Sequence, residues 1–409
     1  MPLMFIKNLF RRKYICPYCF ERPYLYDVKF RCNNHNCVHE EDKVYSDFNE
    51  LPRPRKMNRV LNYEENNSFA KLLARMPEEV ICDACEQPTP VKICPNCHSD
   101  LPATTGDFSD LIFAVVGAKE TGKSHYISVL IDTLKNEIGD AYDCTLEPLN
   151  DETIRRYNEN FYKPVFEDKV TIDATRSGRT DIEVRHPLLY ALKFYKKGPS
   201  NQIRIHKVVT LAFFDAAGED LDEEDTMNIV NRYIYNSSGI ILLLDPLQLN
   251  HIREKLTNDI HLPSKNTEGR ELLHRMANLI RRAEKIKQNK KINIPLAVVF
   301  SKIDAVRSLL DPTSSLHYAS QHIESKGFNL TDFASVQSEI EGLINEWDST
   351  EISRIIQGNY KTYGYFGVSA LGDNPDEDRK IKTFEPYRVA DPLLWLLAEY
   401  NVINTVKRG

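Results

Sequence analysis

Four short runs along this chain are apolar with hardly a polar break: Leu-Ile-Phe-Ala-Val-Val at 111–116, Val-Val-Thr-Leu-Ala-Phe-Phe at 208–214, Gly-Ile-Ile-Leu-Leu-Leu at 239–244 and Pro-Leu-Ala-Val-Val-Phe at 295–300. They lack the alternation of a half-exposed strand and predict strands buried on both faces, as in a parallel sheet. A last strand is predicted at 362–368. Elsewhere the period becomes helical. Ile127, Leu130, Ile131, Leu134 and Ile138 share one face, and Gly139 stands where a C-cap belongs. Val336, Ile340, Leu343 and Ile344 form a second stripe within 333–347, and 391–398 predicts a closing helix. Strands alternating with helices predict an α/β domain with a mostly parallel sheet.

Before residue 106 this pattern fades and cysteine takes over. Eight of the nine cysteines precede residue 98. In chain order they make two sets, Cys16, Cys19, Cys32 and Cys37, then Cys82, Cys85, Cys94 and Cys97. Four thiolates suit a tetrahedral Zn²⁺ at about 2.3 Å per bond, and His35 or His39 could replace a sulfur in the first set. A disulfide framework fits badly, because no signal-peptide pattern leads the chain. Cys144, alone, reads as an ordinary thiol. Between the sets lie a stiff basic connector at 51–56 and a helical stripe of Phe69, Leu72, Leu73 and Met76. The organisation read from this is a first zinc unit at 1–50, a linker and helix at 51–79, a zinc ribbon at 80–105, and an α/β domain at 108–405. Insertions are placed near 140–206 and 305–360.

Charge excludes more than it assigns. Lys and Arg number 53 against 59 Asp and Glu, a net −6, so no global positive field recruits nucleic acid. No apolar run approaches the roughly 18–20 residues of a membrane span. A short amphipathic segment at 3–10 (Phe5, Ile6, Leu9, Phe10) is read as packing on the cysteine module, with lipid contact as the alternative. A cytoplasmic location is expected.

The strand at 111–116 runs into Gly117-Ala118-Lys119-Glu120-Thr121-Gly122-Lys123-Ser124, with His125 directly after. This is G-x4-G-K-S between a strand and a helix, the context in which backbone N–H groups cradle phosphates. Lys123 is placed to reach the β- and γ-phosphates and Ser124 to ligate Mg²⁺. A second element, Asp215-Ala-Ala-Gly218-Glu219, ends the next strand. Asp215 there suits Mg²⁺ through water, and Gly218 can turn its N–H to a γ-phosphate. The third is Ser301-Lys302-Ile303-Asp304, whose carboxylate can accept both N1–H and N2–H of guanine while Lys302 lies along the base. Ser369-Ala370 follows the last strand and offers an N–H to guanine O6.

In this order the four elements resemble the GTPases of the translation-factor-related class of P-loop proteins, over about residues 108–405. Within that class the chain is similar to the double-GTPase proteins of predicted bacterial counter-invader conflict systems, which can carry N-terminal zinc ribbons. The resemblance implies GTP and GDP, Mg²⁺, two structural zinc ions, and slow hydrolysis serving as a conformational switch. It also implies acceleration by a partner, either another GTPase or a dimer, and a zinc module that docks protein or nucleic acid. Two positions depart from the pattern: Ser301 replaces the usual Asn, and Glu219 the usual water-orienting Gln. The switch-I threonine is placed at Thr180, with Thr175 behind it, and Arg176 or Arg179 as an arginine finger in cis. The alternatives are a GTP-sensing scaffold without useful hydrolysis, and an ATPase if Ser301–Asp304 is only a turn.

Overall fold

All four of those uncharged apolar runs form strands in the computed structural model, which describes residues 12–62, 76–106, 111–173, 187–198, 201–214, 228–256, 262, 268–347, 351–376 and 378–407, but only those at 239–244 and 295–300 are inner strands of a sheet. The segment 3–10 and the stripe of Phe69, Leu72 and Leu73 lie outside the described residues. The chain divides into two units, 1–111 and 112–409.

In the first unit the described strands are short: β1 (Lys29–Arg31), β2 (His39–Asp42), β3 (Arg55–Asn58), β4 (Val60–Asn62), β5 (Val80–Ile81), β6 (Pro88–Thr89) and β7 (Lys92–Ile93), with one α-helix among the described residues, α1 (Lys43–Phe48). β1 lies between β4 and β7, antiparallel to both, while β2–β3 and β5–β6 form separate ribbons. The cores are correspondingly small. One gathers Tyr14, Leu25, Val28 and Leu101 around four cysteines, and the other gathers Phe30 and Leu61. Cores of this size need staples. A buried polar knot adds to them: Asp42 accepts from Tyr45 N–H (3.0 Å), capping α1, from Arg31 Nη2 (3.0 Å) and from His98 Nδ1 (2.8 Å). Burial pushes the Asp42 carboxyl up, but these three donors outweigh it and hold the group below its ordinary value.

The second unit begins with β8 (Phe113–Gly117) and α2 (Lys123–Thr133), then β9 (Cys144–Pro148), α3 (Asp151–Tyr157), and the hairpin β10 (Leu188–Lys197) and β11 (Ile203–Phe213). After α4 (Asn228–Tyr235) come β12 (Gly239–Leu244), α5 (Asn250–Lys255), α6 (Glu268–Ala283), β13 (Leu296–Phe300), β14 (Phe328–Asn329), α7 (Leu330–Trp347), α8 (Glu351–Asn359), β15 (Tyr363–Gly367), α9 (Asp391–Glu399) and β16 (Thr405–Val406). A parallel sheet runs in the order β15-β13-β12-β8, in register at Leu296↔Tyr363, Ile240↔Leu296 and Ile240↔Ala114. Every residue of β8, β12 and β13 is buried. Parallel strands bring their C-terminal ends to one edge, where Gly117, Asp245, Ser301 and Val368 collect. A second, antiparallel sheet runs β11-β10-β9.

Three findings depart from the sequence pattern. The run at 208–214, read as a strand of the kind buried in a parallel sheet, is the inner half of β11 and pairs antiparallel with β10 in the other sheet. Gly139 does not cap a helix: α2 continues through a π turn, Leu134–Ile138, and Gly139 keeps right-handed helical angles (φ −51°). A Cβ there would lie 3.1 Å from the Cys144 carbonyl, so the glycine admits the close approach of β9. The stretch 140–206, read as an insertion, carries β9, α3, a π segment (Asn158–Glu167), β10 and the start of β11. The stretch 305–360 is mostly helical, and Val336, Ile340 and Ile344 of α7 are buried.

Between β8 and β11 stands one side chain of α4. The buried Tyr233 hydroxyl accepts from Val115 N–H (3.0 Å) and lies 2.7 Å from the Ala212 carbonyl and 3.1 Å from that of Phe113, to which its proton can go. It joins the phosphate-loop strand to the strand that precedes Asp215. Tyr233→Phe removes one hydroxyl yet strips partners from buried backbone groups, and is expected to cost about 1–3 kcal/mol of stability. Urea unfolding of the variant checks this, and an unchanged midpoint would count against the bridge.

Candidate functional site

The phosphate loop is shaped by its own side chains. Gly117 ends β8, and a Cβ there would sit 2.5 Å from Thr121 Oγ1. That hydroxyl donates to the Ala118 carbonyl (2.8 Å), closing the loop on itself. Glu120 (φ 64°) and Gly122 (φ 81°) both take left-handed backbone angles, and Gly122 is the N-cap from which α2 starts. Such turns direct successive N–H groups into a concave anion site at a helix N-terminus. Lys123 opens α2, and Ser124, buried, follows it. Ser124 is the described residue that could hold Mg²⁺. Lys119 contributes its carbonyl to Gln248 Nε2 (3.2 Å).

At the next strand ends Lys302 takes a left-handed angle (φ 52°) and turns its ammonium away from a purely base-facing position. Nζ donates to the Glu120 carbonyl (2.8 Å) and to Asp245 Oδ2 (2.6 Å). The Asp245 side chain is fully buried and also accepts from Leu247 N–H (2.9 Å). Burial pushes the Asp245 carboxyl up, against the pull of Lys302. Ser301 turns inward, its Oγ donating to the Leu244 carbonyl (3.2 Å), so it holds β12 rather than a base. Asp304 and Ser369 meet: burial raises the Asp304 carboxyl, and a hydrogen bond with Ser369 opposes that rise. Ser369 Oγ also accepts from Gly372 N–H (2.8 Å), which tightens the turn after Ala370. Lys123, Ser124, Lys302, Asp304, Ser369 and Ala370 therefore all stand at the C-terminal edge of one sheet. Asp215, Gly218, Glu219, Thr175, Arg176, Arg179 and Thr180 lie outside the described residues.

A contact that no spacing announced joins these loops. Arg379, beyond the Ser369–Ala370 turn, donates to Thr171 Oγ1 (2.8 Å), the carbonyls of Thr171 (3.0 Å) and Ile172 (3.1 Å), and Asp173 Oδ1 (2.7 Å). His125 Nε2 accepts from Ile172 N–H (3.0 Å). Burial, Lys302 and Arg379 hold the His125 pKa down to about 4, so the ring stays the neutral acceptor this bond needs. Both side chains grip the residues leading toward 174–186.

The cysteines regroup. Cys16, Cys19, Cys94 and Cys97 form one tetrad and Cys32, Cys37, Cys82 and Cys85 the other. The grouping by chain order is corrected: each tetrad takes one pair from each half of the unit. Register explains it. β7 runs antiparallel to β1 with Ile93 opposite Lys29 and Arg31 N–H bonded to the Val91 carbonyl (2.9 Å). The chain after β7 thus emerges beside the start of β1, where Cys16 and Cys19 lie, while the 82–85 turn sits at the end carrying Cys32. Sulfur separations are 3.7 and 3.8 Å in the first tetrad and 3.6 and 3.8 Å in the second. A tetrahedron of about 2.3 Å Zn–S bonds has edges of about 3.8 Å, so both sets fit zinc. Three of the pairs share one turn: Cys16, Cys82 and Cys94 carbonyls accept from Phe20, Glu86 and His98, each of these at φ 56–57°. His35 and His39 are exposed and belong to neither set.

A third cluster, His322 with Asp332 and Asp391, is filled by protein. Arg388 Nη1 donates to Asp332 (2.7 Å) and Asp391 (2.9 Å), and His322 Nδ1 accepts from Asn329 N–H (2.9 Å). His322 then presents Nε2–H to the carboxylates, and the group is an ionic knot closing α9 onto α7.

The sheet and the loops at its edge define a P-loop domain of GTPase type, a guanine-nucleotide-binding fold. The chain belongs to the Double-GTPase 2 family, whose model matches residues 111–355. It is 26% identical over 329 residues to SaeC of Mycolicibacterium smegmatis, named provisionally as an ESX-1 scaffolding and assembly protein, covering 76% of this chain and 81% of that one. Among solved structures it is similar to the Arl6 BBS3 small GTPase of Trypanosoma brucei with bound GppNp (12% identity, 72% of this chain, all of that one, TM-score 0.29). It is also similar to the GTPase-like domain of Ski7 from S. cerevisiae with GDP and phosphate (14% identity, 72% of this chain, 50% of that one, TM-score 0.29). Among the described residues no helix is long and apolar enough to cross a membrane.

Two outcomes are expected. Metal analysis should give about two zinc per chain, with pairwise variants separating the tetrads. Cys16→Ser with Cys94→Ser loses one zinc, whereas Cys82→Ser with Cys94→Ser loses both; the reverse pattern would restore the chain-order grouping. Arg379→Ala should speed amide hydrogen exchange at 171–173 while changing global stability by less than about 1 kcal/mol, since Arg379 is half-exposed. Unchanged exchange there would remove its anchoring role.

Proposed function

We propose that the protein binds GTP and GDP with Mg²⁺ and uses slow hydrolysis as a conformational switch set by a partner. The observation that carries this reading is the Lys302 ammonium, which ties the phosphate loop at Glu120 to the turn bearing Asp304, whose carboxyl meets Ser369. A phosphate site and a base site so joined fit one nucleotide, and a carboxylate beside Ser369 favours the paired donors of guanine over adenine. Lys123 neutralises the β- and γ-phosphates, and Ser124 holds Mg²⁺, which supplies charge stabilisation when bound. Glu219 in place of Gln supports slow turnover, as its charge repels the γ-phosphate. The zinc unit is proposed to dock a protein partner, with a second GTPase, a second copy of the chain or nucleic acid as further candidates. The setting drawn from the family resemblance is a bacterial defence or conflict system in the cytoplasm.

One observation favours a second reading. The similarity to SaeC, with its scaffolding name, supports a GTP-sensing scaffold that does not turn over usefully.

Competition of GTP, GDP and ATP for a fluorescent guanine nucleotide tests the base assignment. GTP should win by at least about tenfold, and Asp304→Asn should erase that margin. ATP preference in the wild type would remove the guanine reading. Single-turnover hydrolysis by the purified chain should stay well below about 1 s⁻¹, and a faster rate would mean a complete catalytic set in cis.

A further inference from the structure

The β10–β11 hairpin changes character along its length. Its inner half is buried, from Leu188 to Leu192 on β10 and from Val208 to Phe213 on β11. The register then slips: Phe194 faces Lys207 and Tyr195 faces Ile205, leaving His206 as an extra residue. Beyond this bulge lies an exposed tip. Cross-strand pairs set its faces: Tyr195 with Ile205 and Lys197 with Ile203 on one, Lys196 with Arg204 on the other. Ile203 is 66% exposed and Ile205 41%, and both belong to the few large apolar side chains so placed. Lys196, Lys197, Arg204 and His206 are exposed as well. The sequence from 184 to 214 holds no Asp or Glu, in a chain with 59 of them and a net charge of −6. Lys193 pairs with Glu147 and Lys207 donates to the Asn401 and Val402 carbonyls, which leaves the tip's charge to Lys196, Lys197 and Arg204. The field is felt locally: burial, Lys207 and Lys196 together lower the His206 pKa.

We propose that this tip is a docking surface for an anionic lipid headgroup layer. Exposed branched aliphatics interleaved with cations and no acid match an interface in which apolar groups sink to the acyl boundary while lysine stems reach the headgroups. Among the described residues both faces of the tip are exposed, with Ile203 and Ile205 on one and Lys196 and Arg204 on the other. A folded protein covers one face of a ribbon, whereas a fluid headgroup layer surrounds a tip one sheet thick. Nucleic acid is disfavoured because the half-buried Tyr195 is held through its hydroxyl by Thr145 Oγ1 (3.0 Å), and the exposed apolar side chains are isoleucines, which offer no face for base stacking. Lysine along the strand edges also discourages pairing with another neutral strand. The inference does not depend on nucleotide binding, although β10 follows 174–186 directly and Asp215 follows β11.

Flotation of the full chain with phosphatidylcholine vesicles, with and without phosphatidylserine, tests it in the absence of nucleotide. The protein should float only with phosphatidylserine and less at raised salt. Two variants should each weaken flotation by about tenfold or more while keeping the wild-type melting temperature and zinc content: Ile203→Ser with Ile205→Ser, and Lys196→Ser with Arg204→Ser. Equal flotation with both vesicles, none with either, or wild-type binding by both variants would overturn the proposal, the last by moving any lipid contact elsewhere, such as 3–10. Retention on duplex DNA tighter than on the phosphatidylserine vesicles would replace it with a nucleic-acid surface.

Discussion

Lys302 brings one ammonium within hydrogen-bonding distance of the Glu120 carbonyl in the phosphate loop and of the Asp245 carboxylate at the end of β12. Three strand ends, those of β8, β12 and β13, are thus held by a single cation. Burial pushes the Asp245 carboxyl up and the ammonium beside it opposes that rise. The carboxylate in turn fixes the lysine stem, which crosses the mouth of the loop with its Cε 3.8 Å from where a Gly122 side chain would begin. A larger residue at Gly122 would contend with both the left-handed backbone and this stem. The strand ends at the phosphate loop are thus held by contacts of the protein itself, and donors fixed in this way are the more effective ones.

Much of this was legible along the chain. Uncharged runs locate β8, β12, β13 and the buried half of β11 because a strand covered on both faces tolerates no charge, while Gly122 stands where a left-handed angle requires it and Gly117 where Thr121 leaves no room for a side chain. What remained hidden depended on pairing register and on long side chains. Which cysteines share a metal follows from Ile93 lying opposite Lys29, and spacing within a C-x-x-C turn contains no trace of that. Arg379 reaches Thr171 from about two hundred positions away in the sequence, and an isolated arginine in a polar loop carries no pattern. The Asn-to-Ser change at Ser301 was visible, but its effect was not: the short hydroxyl satisfies the Leu244 carbonyl, and the turn keeps its place without a longer amide. Asp245 follows the run at 239–244 with no motif of its own, and its burial against Lys302 shows what it does.

Tyr233 and the hairpin show how this fold connects its parts. The phosphate-loop strand and β11 share a hydroxyl supplied by α4, so a displacement of that helix is felt by the backbone of both strands. β11 is continuous with the hairpin tip some thirty ångströms along at about 3.4 Å per residue, counted from Phe213 to Ile203. A buried, fully paired inner half is stiff, while the tip past the bulge makes few contacts and can bend without disturbing the core.

The interleaved tetrads also impose an order on synthesis. Once residue 37 has left the exit tunnel, the nascent chain displays Cys16, Cys19, Cys32 and Cys37, four thiols belonging to two different centres. Neither centre can close until Cys82 to Cys97 has left the exit tunnel, at elongation rates of about 5–20 residues per second. For several seconds each nascent chain therefore displays two half-built metal sites. They can be captured by a wrong pairing, by oxidation, or by a neighbouring chain on the same message.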